Sequence, residues 1–317
     1  MKEQGQGTVV DGLDELAVEP RVVTIGTFDG VHRGHRRLLA SAVARARQLG
    51  LRSLAVTLEP IPAMVLRPEH FPGRIAPVDD KLARLAASDV DEIAVLAFTP
   101  EFSRQSPEEF MQRLAATGLR ELWIGEGFAL GRHRAGDVNR LREIGADLGF
   151  AVVAVPRLTD GDEVISSSAI RAAIQAGDVA AARRLLGRPF RLSGEVIHGA
   201  HLGRKIGYPT ANVVPPPGLV VPADGIYATL ATLPDGAGPR PAMTYVGTRP
   251  AVNTGARQIE THIFDFDGDL YGQTIAVDFL ERLRGDATFD GVDALIAQMR
   301  RDEAAARAVL GRETGAA

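Results

Sequence analysis

The chain contains no cysteine. Disulfides, thiolate metal sites and cysteine nucleophiles are therefore excluded, and the cytoplasm is the expected setting. No stretch reaches the roughly 18 uninterrupted apolar residues that a membrane helix needs. The segment Met1 to Pro20 carries Lys2, Glu3, Asp11, Asp14, Glu15 and Glu19 among few apolar side chains. It lacks the basic start and apolar run of a signal peptide. Internal repeats and low-complexity tracts are missing too. A net charge of −4 argues against a broad nucleic-acid surface, though it leaves room for a local basic pocket. What is present is an ordinary apolar fraction, 45% of 317 residues. That is enough to form a core, and the length suggests two domains at roughly 150 residues each.

The first half alternates strand and helix signals. Val22 to Ile25, Ser53 to Leu58, Ile93 to Phe98, Leu122 to Ile124 and Ala151 to Val155 read as strands. Leu38, Leu39, Ala42, Val43, Ala46 and Leu49 recur at helical spacing, with Gly50 suited to the helix end. Ser106-Pro107-Glu108-Glu109 has the form of a capping box. Strands separated by helices imply a parallel sheet that binds ligands at its carboxyl edge. The pattern changes near Leu186. Arg191 to His198, Gly225 to Leu233, Ala242 to Val246, Gln258 to Asp265 and Thr274 to Leu280 read as strands, followed by a helix over Val292 to Leu310. A small antiparallel barrel closed by a terminal helix is expected.

The sharpest motif is Gly26-Thr27-Phe28-Asp29-Gly30-Val31-His32-Arg33-Gly34-His35, between the first strand and the first long helix. Gly26, Gly30 and Gly34 allow close backbone approach, and a helix N-terminus offers free N–H groups to phosphate. His32 and His35, three residues apart, can both point at that phosphate and hold the developing charge of a nucleotidyl transfer. The alternative is a glycine turn with two solvated histidines. The Gly-Lys-Ser/Thr of a Walker A loop is missing. In Ile165-Ser166-Ser167-Ser168-Ala169-Ile170-Arg171 the serines can cap a helix and leave N–H groups for an anion, with Arg171 as a bidentate donor.

The second half offers Gly199-Ala200-His201-Leu202-Gly203-Arg204-Lys205-Ile206-Gly207-Tyr208-Pro209-Thr210-Ala211-Asn212. A basic loop with Gly203, Lys205 and Gly207 can fold over phosphates. Thr210 and Asn212 are hard oxygen ligands suited to Mg²⁺ beside phosphate. Further on, Ile259-Glu260-Thr261-His262 alternates along a strand, and Asp267-Gly268 signals a hairpin turn into the next one.

These motifs resemble the prokaryotic bifunctional riboflavin kinase/FMN adenylyltransferase (FAD synthetase) family, from about Val22 to about Arg307. The resemblance implies an α/β chain in two domains. Residues 1–186 would form a Rossmann-like nucleotidyltransferase with a parallel sheet, and residues 187–317 a riboflavin kinase barrel with a terminal helix. It implies riboflavin, FMN and ATP as partners, ATP as co-substrate and Mg²⁺ as cofactor, with neither nucleic acid nor membrane. By the same resemblance Gly26, Phe28, Gly30, Gly34, Ser167, Ser168 and Arg171 bind ATP in the first domain, with His32 and His35 catalytic. Gly203, Lys205, Gly207, Thr210 and Asn212 serve ATP in the second, with Thr210 and Asn212 at the metal. Glu260 is the general base toward the ribityl hydroxyl, and Arg284 and Phe289 cover the flavin.

The chain departs from the pattern at several points. Ile61 replaces the histidine of Thr-Phe-x-Pro-His-Pro. Gly127 and Leu130 replace an Asp/Asn and an aromatic of Gly-x-Asp/Asn-Phe-x-Phe-Gly. Asp286 stands where glutamate is frequent, and Tyr245 to Ala251 varies a further motif. Two alternatives follow. One is a monofunctional riboflavin kinase with a degenerate first domain, and the other a flavin-binding or regulatory protein without turnover.

Overall fold

The computed structural model describes residues 7–199, 203, 206–247 and 257–314. Among them, two compact units emerge. One takes everything up to Phe71 together with Pro77–Ser167, and the other Pro72–Ala76 together with Ser168 onward.

The first unit runs β1 (Thr8–Asp11), β2 (Arg21–Gly26), α1 (Arg33–Leu49), β3 (Arg52–Glu59), α2 (Pro62–Leu66), α3 (Val78–Ala86), β4 (Glu92–Ala97), α4 (Pro107–Ala116), β5 (Leu119–Gly125), α5 (Val138–Leu148) and β6 (Ala151–Val155). A two-residue-per-strand hairpin follows, β7 (Thr159–Asp160) and β8 (Glu163–Val164). Six strands form one parallel sheet in the order β1-β4-β3-β2-β5-β6. Five of them match the strands read from the sequence. The edge strand β1 is the sixth, and its four mostly exposed residues give no periodicity to read.

Central strands of such a sheet are covered on both faces, and β2 shows it. Val22, Val23, Thr24 and Ile25 are all buried, each apolar one contributing about 1.5–3 kcal/mol. On one face Val23, Ile25, Leu54, Leu122 and Ile124 pack with Met111, Leu114, Leu141 and Ile144. On the other, Leu39 and Val43 pack with Ala55, Leu85 and Ile93. The helix ends are set locally. Ser106 and Glu109 close the capping box of α4, and Gly50 ends α1 in the left-handed conformation. From β2 the chain steps outward through β3 and β4, then returns to the other side for β5 and β6. The order therefore reverses between β2 and β5, and the crevice at the carboxyl ends of these strands is the expected ligand site.

The second unit holds α6 (Ser167–Ala176) from Ser168 onward, α7 (Val179–Leu186), β9 (Phe190–Ile197), β10 (Ala211–Val214), β11 (Gly225–Thr232), β12 (Pro239–Gly247), β13 (Gln258–Ile263), β14 (Thr274–Arg284) and α8 (Val292–Thr314). The six strands close an antiparallel barrel in the order β10-β13-β12-β11-β14-β9. Ala306, Val309 and Leu310 of α8 pack with Ala228, Met243, Phe264 and Leu280. Thr229, Thr244 and Thr261 form a buried hydroxyl ladder across three strands at 2.9 and 3.0 Å, so these polar groups satisfy one another. The Pro72–Ala76 segment joins this unit through Arg74, which exchanges backbone hydrogen bonds with Gly218 and Val220 at 2.8 and 2.9 Å.

Two readings of the sequence change here. Ala211–Val214, outside the five strands expected in this half, is strand β10. The Asp267-Gly268 hairpin does not form, because β13 pairs with β10 and β12 whereas β14 pairs with β11 and β9. Closing the barrel needs β14 beside β9, so the Asp-Gly pair lies in a connection between strands that are not neighbours.

Candidate active sites

The first site is built on the turn from β2 to α1. His32 is the residue before the helix, and its Nδ1 accepts the backbone N–H of His35 at 3.2 Å. The two imidazoles stack with centroids 3.5 Å apart and planes 18° from parallel. Phe28 meets His35 edge-on at 5.2 Å. Burial first, and His32 second, hold His35 well below the ordinary imidazole range, so it is neutral near pH 7. Its Nδ1 is buried and, among the described residues, has no hydrogen-bond partner. Phe28 and Val31 both sit at positive φ, 48° and 38°. For a β-branched residue that is strained backbone, held here because both side chains are buried. Ser167, the last residue of the first unit, donates to the carbonyl of Asp29 at 3.0 Å. Ser168 is exposed and Arg171 half-buried, in α6.

A network that local sequence patterns did not reveal stands beside this loop. Lys81 of α3 is buried and pairs with Glu59 at 2.5 Å. Its ammonium also donates to the Thr57 hydroxyl at 3.1 Å and the Leu58 carbonyl at 3.3 Å. Thr57 in turn donates to the carbonyl of Thr27 at 3.3 Å. One buried cation thus braces the end of β3 and, through Thr57, the glycine–histidine loop. The only signal in the sequence was a lysine at a helix position otherwise facing the core.

The departures are placed as follows. Ile61 is buried just before α2, so position 61 is an apolar packing position in this chain. In the loop after β5, Phe128 and Leu130 pack against the core, and Leu130 and Gly136 exchange backbone hydrogen bonds at 3.1 and 3.0 Å. The carbonyl of Gly127 accepts from Arg134 at 3.2 Å.

The second site lies in the barrel, at a cavity of about 1250 Å³ lined by Thr210, Asn212, Glu260, His198, Tyr271 and Arg257 among others. The β10–β13 register sets Asn212 opposite Glu260. Glu260 is buried, and its carboxylate accepts the Thr210 hydroxyl at 3.3 Å. Three hard oxygen-bearing side chains therefore line one cavity, from β13 and from its neighbour β10 and the residue just before it. Among the described residues no three His, Asp or Glu side chains cluster as a metal site. The neutral oxygen donors of Thr210 and Asn212 fit a Mg²⁺ ion that takes the rest of its ligands from phosphate and water. Asn212 is accommodated by Gly199: a Cβ there would stand 2.4 Å from its Nδ2. His198 and Tyr271, not singled out by sequence, stack at 3.8 Å on the cavity wall. Nδ1 of His262 meets the Pro209 carbonyl at 2.7 Å.

Of the other expected residues, Gly203 and Gly207 lie before Thr210 in the loop, and a Cβ on Gly203 would meet the Tyr208 carbonyl at 2.2 Å. Lys205, Arg204 and Thr248 to Ala251 lie outside the described residues. Arg284 grips Asp302 of α8 with two nitrogens, at 3.0 and 2.8 Å. It also lies 5.7 Å from the ring of Phe289. Asp286 accepts the Tyr245 hydroxyl at 3.3 Å.

Comparison with known proteins follows the same division. Residues 15–169 match the FAD synthetase family model and residues 186–310 the riboflavin kinase model. A bifunctional riboflavin kinase/FMN adenylyltransferase of Escherichia coli (strain K12) is 37% identical over 308 residues, covering 96% of this chain and 98% of that one. One from Pseudomonas fluorescens is 40% identical over 310 residues, covering 95% and 97%. A crystal structure from Streptococcus pneumoniae, described as a macrolide-efflux protein, superposes with a TM-score of 0.85 at 31% identity over 94% of this chain and 98% of that one. Among the described residues of this chain, no helix is long and apolar enough to cross a membrane.

Proposed function

We propose the following division of labour for this chain, which belongs to the bifunctional riboflavin kinase/FMN adenylyltransferase family. It uses ATP to phosphorylate riboflavin to FMN and then to adenylylate FMN to FAD. The kinase work falls to residues 187–317 and the adenylyl transfer to residues 1–186, in a cytoplasmic setting.

In the barrel, Glu260 takes the proton of the ribityl hydroxyl as its oxygen attacks the γ-phosphorus of ATP and ADP leaves. Thr210 and Asn212 hold Mg²⁺, which when bound neutralises charge on the transferring phosphoryl group. Gly203, Lys205 and Gly207 cover the phosphates, and Arg284 with Phe289 bounds the flavin. The observation that supports this half is the meeting of Thr210, Asn212 and Glu260 at one cavity.

In the first unit an FMN phosphate oxygen attacks the α-phosphorus of ATP, and pyrophosphate leaves. Backbone N–H groups around Gly26, Phe28, Gly30 and Gly34 receive the phosphates, with Ser167. His32 and His35 stabilise the charge that develops on them; His35 does so as a neutral donor. A second reading, a kinase whose first unit is idle, rests on Ile61 and Gly127.

Incubation with riboflavin, ATP and Mg²⁺, with the flavins then separated by chromatography, decides between them. FMN followed by FAD, the second abolished by His32→Ala, is the expected result. FMN alone supports the idle first unit, and tight flavin binding with no ATP consumption would overturn both.

A further inference from the structure

The space beside Gly127 is taken by an arginine 30 residues away. Gly127 does not lie at positive φ, so its backbone places no demand for glycine. The space beside it is occupied: a Cβ at 127 would stand 1.8 Å from Nη2 of Arg157, 2.6 Å from Cζ and 2.9 Å from Nε, so a side chain there requires this exposed, flexible guanidinium to move aside. The guanidinium of Arg157 occupies the volume in which a side chain at 127 would begin. Arg157 follows β6 and Gly127 follows β5, and these strands are paired neighbours. Both residues therefore stand at the carboxyl edge of the sheet. The backbone N–H of Arg157 meets the Glu126 carboxylate at 3.4 Å. Its guanidinium has neither a hydrogen bond nor an ion pair with any described residue. By contrast, Arg45, Arg140 and Arg191 each close on a carboxylate. An exposed guanidinium beside the loop at the carboxyl edge of the sheet is chemically suited to donate to phosphate oxygens.

We propose that Arg157 replaces in this chain the polar side chain that relatives carry at position 127, and donates to a phosphate group of the flavin or adenine nucleotide during FAD synthesis. The proposal rests on the adenylyltransferase reading of the first unit. It also removes part of the case for an idle one, because the next strand supplies the polar group that Gly127 cannot.

The test is a double-mutant cycle on the full chain between positions 127 and 157. FAD synthesis is measured with FMN and ATP varied separately, and flavin fluorescence quenching compares FMN binding with riboflavin binding. Arg157→Ala should raise one KM about tenfold or more, the usual worth of a charge-assisted hydrogen bond, and leave FMN formation unchanged. Whether the affected substrate is FMN or ATP identifies which phosphate is held. Arg157→Lys should recover part of the loss. Gly127→Asn should impair the unaltered chain, where it displaces the guanidinium, yet improve the Arg157→Ala variant. Additive effects at the two positions would overturn the replacement. Unchanged KM values, together with an unchanged preference for FMN over riboflavin, would overturn the contact itself. A chain that makes no FAD would sink the adenylyltransferase reading, and the binding comparison would still decide the role of Arg157.

Discussion

The hydroxyl of Thr210 donates to the carboxylate of Glu260 at 3.3 Å, although 50 residues separate them. One precedes β10 and the other lies in β13, and the pairing of these strands also sets Asn212 opposite Glu260. The carboxylate and the two neutral oxygens are thereby held on or beside rigid elements, which is what positioning catalysis requires.

Removing the carboxylate while keeping its shape tests the base. Glu260→Gln should cut FMN formation by about 10²–10⁴-fold, the usual worth of a general base, with riboflavin binding retained. Thr210→Ala should instead raise the ATP and Mg²⁺ concentrations needed for half-maximal rate. Steady-state kinetics on both variants check this, and near-normal turnover in Glu260→Gln would remove it from the mechanism.

Gly199 makes room for Asn212. A methyl group there would stand 2.4 to 2.8 Å from the amide atoms of Asn212, so Gly199→Ala should push that side chain off its place. We expect a raised KM for ATP·Mg²⁺ with little change in melting temperature. A variant with unaltered kinetics would mean that the position of Asn212 is not needed.

Lys81 should matter to one activity only. Lys81→Met leaves the Glu59 carboxylate without its buried partner, a loss of about 3–5 kcal/mol for a broken buried pair. FAD synthesis should fall and FMN synthesis persist. Lys81→Met combined with Glu59→Gln should be less destabilised than Lys81→Met alone, read from urea unfolding. Equal loss of both activities would contradict a role confined to the first unit.

The depressed pKa of His35 gives a signed pH dependence. Above the unfolded value of 6.5 neither state holds the proton, and stability is at its full level. As pH falls below 6.5 the unfolded chain binds a proton that the folded imidazole resists, so stability declines until the folded pKa is reached. Urea unfolding between pH 7.5 and 5 should show this loss, and His35→Asn should reduce it. FAD synthesis should show no His35 titration near pH 6.5.

Local signals in the sequence were enough for the α/β first half, the barrel in the second, the glycine–histidine turn and the ends of α1 and α4, because periodicity and capping act over a few residues. They were not enough for β1, whose four mostly exposed residues have no pattern, or for the Asp267-Gly268 turn, whose hairpin propensity yields to barrel closure. Position 61 departs from the family pattern in the sequence, and the fold shows its isoleucine buried. Lys81 with Glu59, Gly199 with Asn212, Thr210 with Glu260 and Gly127 with Arg157 are each separated by 13 to 50 residues. Such pairs form only when strand order and register are fixed. The sequence by itself determined which chemistry was on hand. Which side chains share a space was decided by the pairing of strands that no local propensity encodes.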